Sequence, residues 1–351
     1  MTSSFAPIAV RPNYFRLFPK KSNGALFRLG EAAMRMVFKR VKPGFIGIGD
    51  LRRQVLTWDE RLGRRSCNPN DTVTPIVCDD VAAEWLDVQG VDSERVILYL
   101  HGGAFVMKFP FTQRAMVARW CRALNARALM VAYRLAPEHP FPAAPDDCFA
   151  VYRWLLDQGY DPSQIIIAGE SAGGNLTLVT LLRARDAGLP MPGCAIVISP
   201  AADFSMTGRS AVINENVDSM FSVSLLRWFA EMYLTDMDKY LDPGLSPLVG
   251  DFEGLPPMLL QVGGAEMLLD DATRVAAKAN AVGISVRLDV FEGMPHVFQA
   301  MPNLIETKEA DESLVEFVSL HMGWTNSLNR NRQQEPAPAK RFRLIGLLSG
   351  A

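Results

Sequence analysis

Residues 165–182 read "IIIAGESAGGNLTLVTLL". Three consecutive isoleucines favour a strand, because β-branched side chains pack well on a pleated surface and lose freedom in a helix. The leucine-spaced run from Asn175 onward favours a helix. Between them stands Gly169-Glu170-Ser171-Ala172-Gly173-Gly174, one hydroxyl among small residues at a joint. A serine hydroxyl is a weak nucleophile at neutral pH and needs a base and a site for the oxyanion it creates. A sharp strand-to-helix turn exposes the hydroxyl. The helix that follows aims its N-terminal N–H groups, and its positive dipole end, at the reacting centre. Glycines 169 and 173 let the backbone turn tightly and keep side chains away. The competing reading is a glycine-rich helix entry capped by Ser171.

Outward from this joint, apolar strands and helices alternate. "TVTPIVC" from residue 72, "VAAEWLDV", "RVILYLH" and "ALMVAYR" precede it as strands, with "DDCFAVYRWLLDQ" as a helix. After it come strands "CAIVIS", "PMLLQVG" and "SVRLDVFEG", and helices "DDATRVAAKANAVG" and "IETKEADESLVEFVSLHMG". Near-continuous apolar strands separated by helices predict a mainly parallel sheet covered on both faces. The interval 204–250, rich in Met, Phe and Trp, interrupts the rhythm like an insertion. Residues 1 to about 70 are basic and carry an amphipathic helix pattern at 26–40, broken by "KPGFIGIGD". A helix covering a pocket is expected there rather than one lying on a membrane. Residues 324–351 are polar and basic, with "QQEPAPAK" inside, and read as a tail.

A second motif supports the nucleophile reading. "RVILYLHGGAFV" is a strand running into His101-Gly102-Gly103-Ala104. Backbone N–H groups in such a loop can face a developing oxyanion, and glycine permits the close approach. Gly103 and Ala104, with the N–H of Ala172, would form a three-donor pocket. The base must then be one of four histidines. His101 sits among the donors, where it would hold the loop. His139 lies in the proline-rich "APEHPFPAAPDD", and His321 ends an amphipathic helix. His296, in "VFEGMPHVFQAM", follows the last strand and can reach the carboxyl edge of the sheet, where ligands bind in such folds. The carboxylate that orients it comes from "LLQVGGAEMLLDDATRV": Glu266 is first in the loop, while Asp270 and Asp271 could equally cap the next helix. Glu170 points away from its neighbour on the turn and reads as a structural partner of nearby loops.

Composition excludes several classes. The chain has 351 residues, 49% hydrophobic and 21% charged, with a formal net charge of -2; it is a globular chain with a large core and no basic excess for nucleic acid. Five scattered cysteines without a CxxC pair or ligand spacing fit buried thiols in a reducing compartment, so a cytoplasmic location is expected. The N-terminal stretch lacks an unbroken apolar core, so no signal peptide is expected, and no apolar run in the sequence is long enough to span a bilayer. A dinucleotide site is not expected, since the G-x-G-x-x-G spacing is absent. No cofactor and no metal is expected.

With these residues placed, the chain resembles the hormone-sensitive-lipase family of α/β-hydrolases, also called bacterial family IV esterases. The resemblance covers roughly 72–322 and rests on "YLHGGAF", "YRLAPEHPFPAA", "GESAGGN", "SPL" at 246–248, "GAEMLLDDA" and "PHVF". It implies an α/β-hydrolase fold with a mainly parallel eight-stranded sheet, helices on both faces and a helical cap. The expected layout is a cap segment at 1–70, a catalytic domain at 71–322 with a cap insertion at about 204–245, and a flexible basic tail at 323–351. It implies Ser171 as nucleophile, His296 as base, and Gly102, Gly103, Ala104 and Ala172 around the oxyanion, with Glu266 the third member. Two departures stand out: Ala104 replaces the family's third glycine, and Glu266 stands where most members carry Asp. The implied activity is a carboxylesterase acting on small to medium acyl esters. The alternatives are a lactone hydrolase using the same triad, or a non-catalytic receptor on the same fold. The expected partner is a small-molecule ester or lactone; a homodimer is left open, and integral membrane association is not expected.

Overall fold

The computed structural model describes residues 12–324, except 23, 40, 42–44, 92 and 93. Nine strands form one sheet: β1 (Phe15–Phe18), β2 (Thr72–Cys78), β3 (Val81–Asp87), β4 (Val96–Leu100), β5 (Arg127–Val131), β6 (Ile165–Glu170), β7 (Cys194–Ile198), β8 (Met258–Gly263) and β9 (Val286–Phe291). Their order is β1-β9-β8-β7-β6-β4-β5-β3-β2. Strand β3 runs antiparallel to β2 and β5, and every other pairing is parallel.

The helices are α1 (Ala25–Phe38), α2 (Ile48–Leu62), α3 (Pro110–Leu124), α4 (Ala143–Asp157), α5 (Ala172–Asp186), α6 (Ser210–Ile213), α7 (Val223–Tyr233), α8 (Leu269–Ala281) and α9 (Ile305–Met322). The two faces of the sheet explain why the central strands are apolar at every position. Val96, Leu98 and Leu100 pack into one core with Val151 of α4, Leu176 of α5 and Ala272 of α8. Ile97 and Tyr99, one residue out of phase, pack into a second core with Met116 of α3 and Leu314 of α9. Successive side chains leave a strand on opposite sides, so a strand covered on both faces has no polar phase. Each fully buried Leu or Ile contributes about 1.5–3 kcal/mol from area removed from water.

Among the described residues the sheet has nine strands rather than the eight expected. The extra one, β1, pairs parallel with β9 from Phe15↔Leu288 to Phe18↔Phe291. Four residues are too short for an alternation to register, and the strand is fixed by tertiary contact: Phe18 stacks on Phe291 with centroids 4.4 Å apart. Helices α2 and α3 also go beyond the sequence reading. They are joined by one buried carboxylate. Asp59 of α2 accepts from Phe111 N at 2.8 Å, Thr112 N at 2.9 Å and Thr112 Oγ1 at 2.6 Å. The two backbone N–H groups are orphan donors of the first turn of α3, whose own N-cap residue supplies no side-chain acceptor. The expected tail boundary at 323 moves. Gly323 closes α9 in the left-handed region, and Trp324 is buried, donating from Nε1 to Gln164 at 3.1 Å. Residues 325–351 lie outside the described residues. Among the described residues no helix is long and apolar enough to cross a membrane.

Candidate active site

Ser171 sits on the last bend of β6 with φ 58° and ψ −118°. A non-glycine residue here is strained by about 1–3 kcal/mol, and such strain persists only where neighbours over-determine it. They do: Ser171 N donates to Ile198 O at 2.8 Å, and Ala201 N donates to Ser171 O at 3.2 Å. The flanking glycines serve close approach rather than unusual dihedrals, since neither has a positive φ. A Cβ on Gly173 would lie 1.8 Å from Leu100 O, and one on Gly169 would lie 2.2 Å from Gly173 O. The joint can therefore press against the end of β4. Ser171 provides no side-chain cap to α5, which removes the capping alternative.

The loop after β4 forms the opposite wall. Gly103 has φ 122°, and Ala104 and Phe105 have φ 55° and 62°. Both Val106 N and Met107 N donate back to Gly103 O, at 3.1 and 3.0 Å. A Cβ on Gly103 would stand 2.0 Å from Met107 O, so glycine is required there. Ala104 holds a left-handed backbone without being glycine. Gly102 needs a correction. Its N–H donates to Glu170 Oε1 at 2.7 Å, so it is spent on positioning the loop and does not face the oxyanion. Glu170 also accepts from Gln113 Nε2 at 2.7 Å and from the Tyr99 hydroxyl. It ties β4, β6 and α3 together behind the loop. Burial pushes its carboxyl up to about 7, against the pull of these donors.

His101 lies within this wall. Its Nδ1 is 2.7 Å from Gly102 O, so Nδ1 carries the proton. Its ring stacks on Tyr133 with centroids 4.1 Å apart, and the Tyr133 hydroxyl donates to His101 O at 2.7 Å. Burial lowers it to about 4, which leaves it neutral and a poor base. His139 is exposed, and His321 rests on Phe317 at 4.4 Å.

His296 and Glu266 come from the loops after β9 and β8, neighbouring parallel strands. The loops are laced by Gly264 N donating to Phe291 O at 2.7 Å and Ala265 N donating to Met294 O at 3.1 Å. His296 Nδ1 meets Glu266 Oε2 at 2.6 Å, and both side chains are buried. The other oxygen, Oε1, accepts from Gly263 N at 2.6 Å and from Ser199 Oγ at 2.7 Å. Phe221 meets the His296 ring edge-on at 4.8 Å. The arrangement fixes the ring and leaves Nε2 free of the carboxylate, as a proton acceptor requires. Asp270 and Asp271 do not cap α8, whose N-cap makes no side-chain bond. Asp270 Oδ2 accepts from Ser210 N at 3.0 Å, and Asp271 Oδ2 accepts from Ala202 N and Asp203 N at 2.8 and 3.0 Å. Both acids tie down the segment after β7.

Ser171, His296, Gly102, Gly103 and Ala104 line one cavity of about 280 Å³. Its outer wall comes from Met34 and Phe38 of α1 and from Val55, Trp58 and Leu62 of α2. A second cavity of about 70 Å³ shares Ser171 and Ala104 and is also lined by Ala172. Among aromatic and Met side chains, Phe109 and Met220 line the larger cavity, Phe105 and Met206 the smaller, and Phe221 both. Trp228 and Phe298 line neither. Sequence reasoning placed a pocket-covering helix at 26–40, where α1 runs, but missed the wall from α2, which carries no motif. It also missed Arg52, which donates to Val106 O at 2.6 Å and to Ala136 O at 2.5 Å and so anchors α2 against the oxyanion-side loop.

Comparison with known proteins agrees with this geometry. A family model described as the alpha/beta hydrolase fold matches residues 97–300. An esterase of Acinetobacter venetianus is 37% identical over 253 residues, covering 72% of this chain and 83% of its own. An acetyl-hydrolase of Streptomyces hygroscopicus is 38% identical over 253 residues, covering 71% and 83%. A solved esterase from the bacterial hormone-sensitive lipase family matches with a TM-score of 0.80 at 36% identity, covering 86% of this chain and 100% of that one. Fold and site together define an α/β-hydrolase. Within that class the chain belongs to the hormone-sensitive-lipase family, and it is a carboxylesterase.

Proposed function

We propose that the chain hydrolyses small to medium acyl esters through an acyl-enzyme on Ser171, with His296 as general base and Glu266 as the carboxylate that orients it. The observation that carries this reading is the 2.6 Å contact of Glu266 with His296 Nδ1, behind a ring that shares a cavity with the strained Ser171. Ser171 Oγ attacks the ester carbonyl while His296 Nε2 takes its proton. The oxyanion is held by N–H groups of Gly103, Ala104 and Ala172, worth about 10²–10³ in rate per donor in comparable sites. His296 then gives the proton to the leaving alcohol, and water deprotonated by the same ring releases the acid. Among relatives, one is named an acetyl-hydrolase and one an ethyl acetate hydrolase, of Pseudomonas putida, which fits a short acyl group.

The test is labelling by an active-site-directed fluorophosphonate together with turnover of p-nitrophenyl butyrate. Wild-type protein should be labelled and active, and Ser171→Ala neither. An unlabelled wild-type chain would leave a ligand-binding role instead. The same machinery would open a cyclic ester, so an ε-lactone measured beside the butyrate ranks the two substrate types.

A further inference from the structure

We propose that the smaller cavity is the acyl subsite and that Asp271 makes it select short acyl chains carrying a hydroxyl group. The proposal rests on the serine-hydrolase reading above and deepens it. The assignment of the two cavities follows from where the proton must go. The leaving alcohol takes its proton from His296, so its oxygen must face that ring. His296 lines the larger cavity and not the smaller. The alcohol part therefore occupies the cavity of about 280 Å³, and the acyl chain runs past Ala172 into the cavity of about 70 Å³. A cavity of ~150 Å³ accepts benzene. Half of that volume limits the acyl chain to a few heavy atoms, while the larger cavity has room for a ring-bearing alcohol.

The smaller cavity is walled by Phe105, Phe204, Leu226 and Ala230, and it contains two acids, Asp203 and Asp271. Asp203 is saturated: it accepts from Ser205 and Thr207 and pairs with Arg274 at 2.7 Å. Asp271 is not. Its Oδ2 takes the N–H groups of Ala202 and Asp203, and its Oδ1 has no hydrogen-bond partner among the described residues. The residue is 5% exposed. Asp271 lines the cavity, so a substrate hydroxyl that bonds its unpartnered oxygen is selected over an apolar chain that only displaces water from it. Burial and the nearby Asp203 push the Asp271 carboxyl up to about 8. Near neutral pH it is then mostly uncharged, which suits a hydroxyl better than an ammonium group.

The experiment compares ethyl 3-hydroxybutyrate with ethyl butyrate on the full chain, and p-nitrophenyl acetate, butyrate and octanoate with one another. Expected are a kcat/KM at least about tenfold higher for the hydroxy ester and a fall of similar size from butyrate to octanoate. Asp271→Val should erase the hydroxyl preference. Ala230→Leu, which only narrows the smaller cavity, should depress butyrate turnover at least about tenfold more than acetate turnover, and it serves if Asp271→Val does not fold. Equal rates on the two ethyl esters would overturn the role of Asp271. Rates that rise with acyl length, or an Ala230→Leu variant with an unchanged acetate-to-butyrate ratio, would overturn the cavity assignment. Activity that survives Ser171→Ala would instead sink the reading on which both rest.

Discussion

Two loops at the carboxyl edge of the sheet each bring a buried histidine beside a buried glutamate, and they use the pair in opposite ways. After β9, His296 turns Nδ1 to the Glu266 carboxylate, and Nε2 is left to accept a proton. After β4, His101 turns Nδ1 to the carbonyl of Gly102, while Glu170 takes the N–H of the same residue. In the proposed reaction the first pair holds a base that can bear a positive charge. The second pair clamps the N–H and the C=O of one residue, Gly102, and keeps both histidine and loop fixed. Residue type is the same in the two places. What differs is whether the carboxylate reaches the ring or the backbone, and that decides between proton transfer and scaffolding.

The largest expected effect tests the chemistry of the first pair. Ser171→Ala and His296→Ala should each lower kcat by about 10⁶-fold, with His101→Ala far milder in kcat and harsher in thermal stability. A reversed ranking of the two histidines would erase the contrast. Glu266→Gln should lose about 10⁴-fold in kcat, because an amide can hold the wrong ring tautomer. Asp270→Asn should lose much less, since Asp270 only binds the Ser210 backbone.

The second pair is broken next. Gly103→Ala places a methyl group where Met107 O stands, at a φ of 122°, and should cost about 10²–10³-fold in kcat with a smaller change in KM. Glu170 gives a pH test. Its folded pKa, about 7, lies above the usual carboxyl value of 4.5. The folded state therefore binds more protons than the unfolded state between those values. The contribution of Glu170 to stability falls as pH rises through that window. Urea midpoints followed from pH 4.5 to 7 should show a shallower decline in Glu170→Gln than in wild type; parallel curves would mean that the carboxyl does not titrate there. The smallest effect is expected at His139, which is exposed: its Ala variant should stay within about twofold of wild-type kcat/KM.

Legibility in the sequence followed the range of the interactions. Ser171 was readable because strand, turn and helix are contiguous, and each is announced by its own local pattern. His296 was readable by elimination among four histidines. The true duties of Glu170 and Gly102 were only half readable. A glutamate beside a serine invites a catalytic reading, and its partners Tyr99 and Gln113 lie 71 and 57 positions away. Asp270 and Asp271 read as helix caps because they open α8, yet their acceptors are turned toward a segment some 60 residues earlier. Strand β1 was invisible for a related reason: its four residues have no pattern of their own, and only the open edge of β9 makes them a strand.

The sequence by itself determined the alternation of strands and helices, the serine at a sharp joint, and the choice of His296 and Glu266 as the proposed base and its carboxylate. Periodicity and turn chemistry act over a few residues and are written locally. Tertiary structure alone decided that the Gly102 N–H is taken by Glu170, which oxygen of Asp271 was left without a partner, and how two unequal cavities meet at Ser171. Those outcomes depend on which backbone donors arrive from distant strands, and a hydrogen bond once made to Glu170 or Glu266 is no longer available to a substrate.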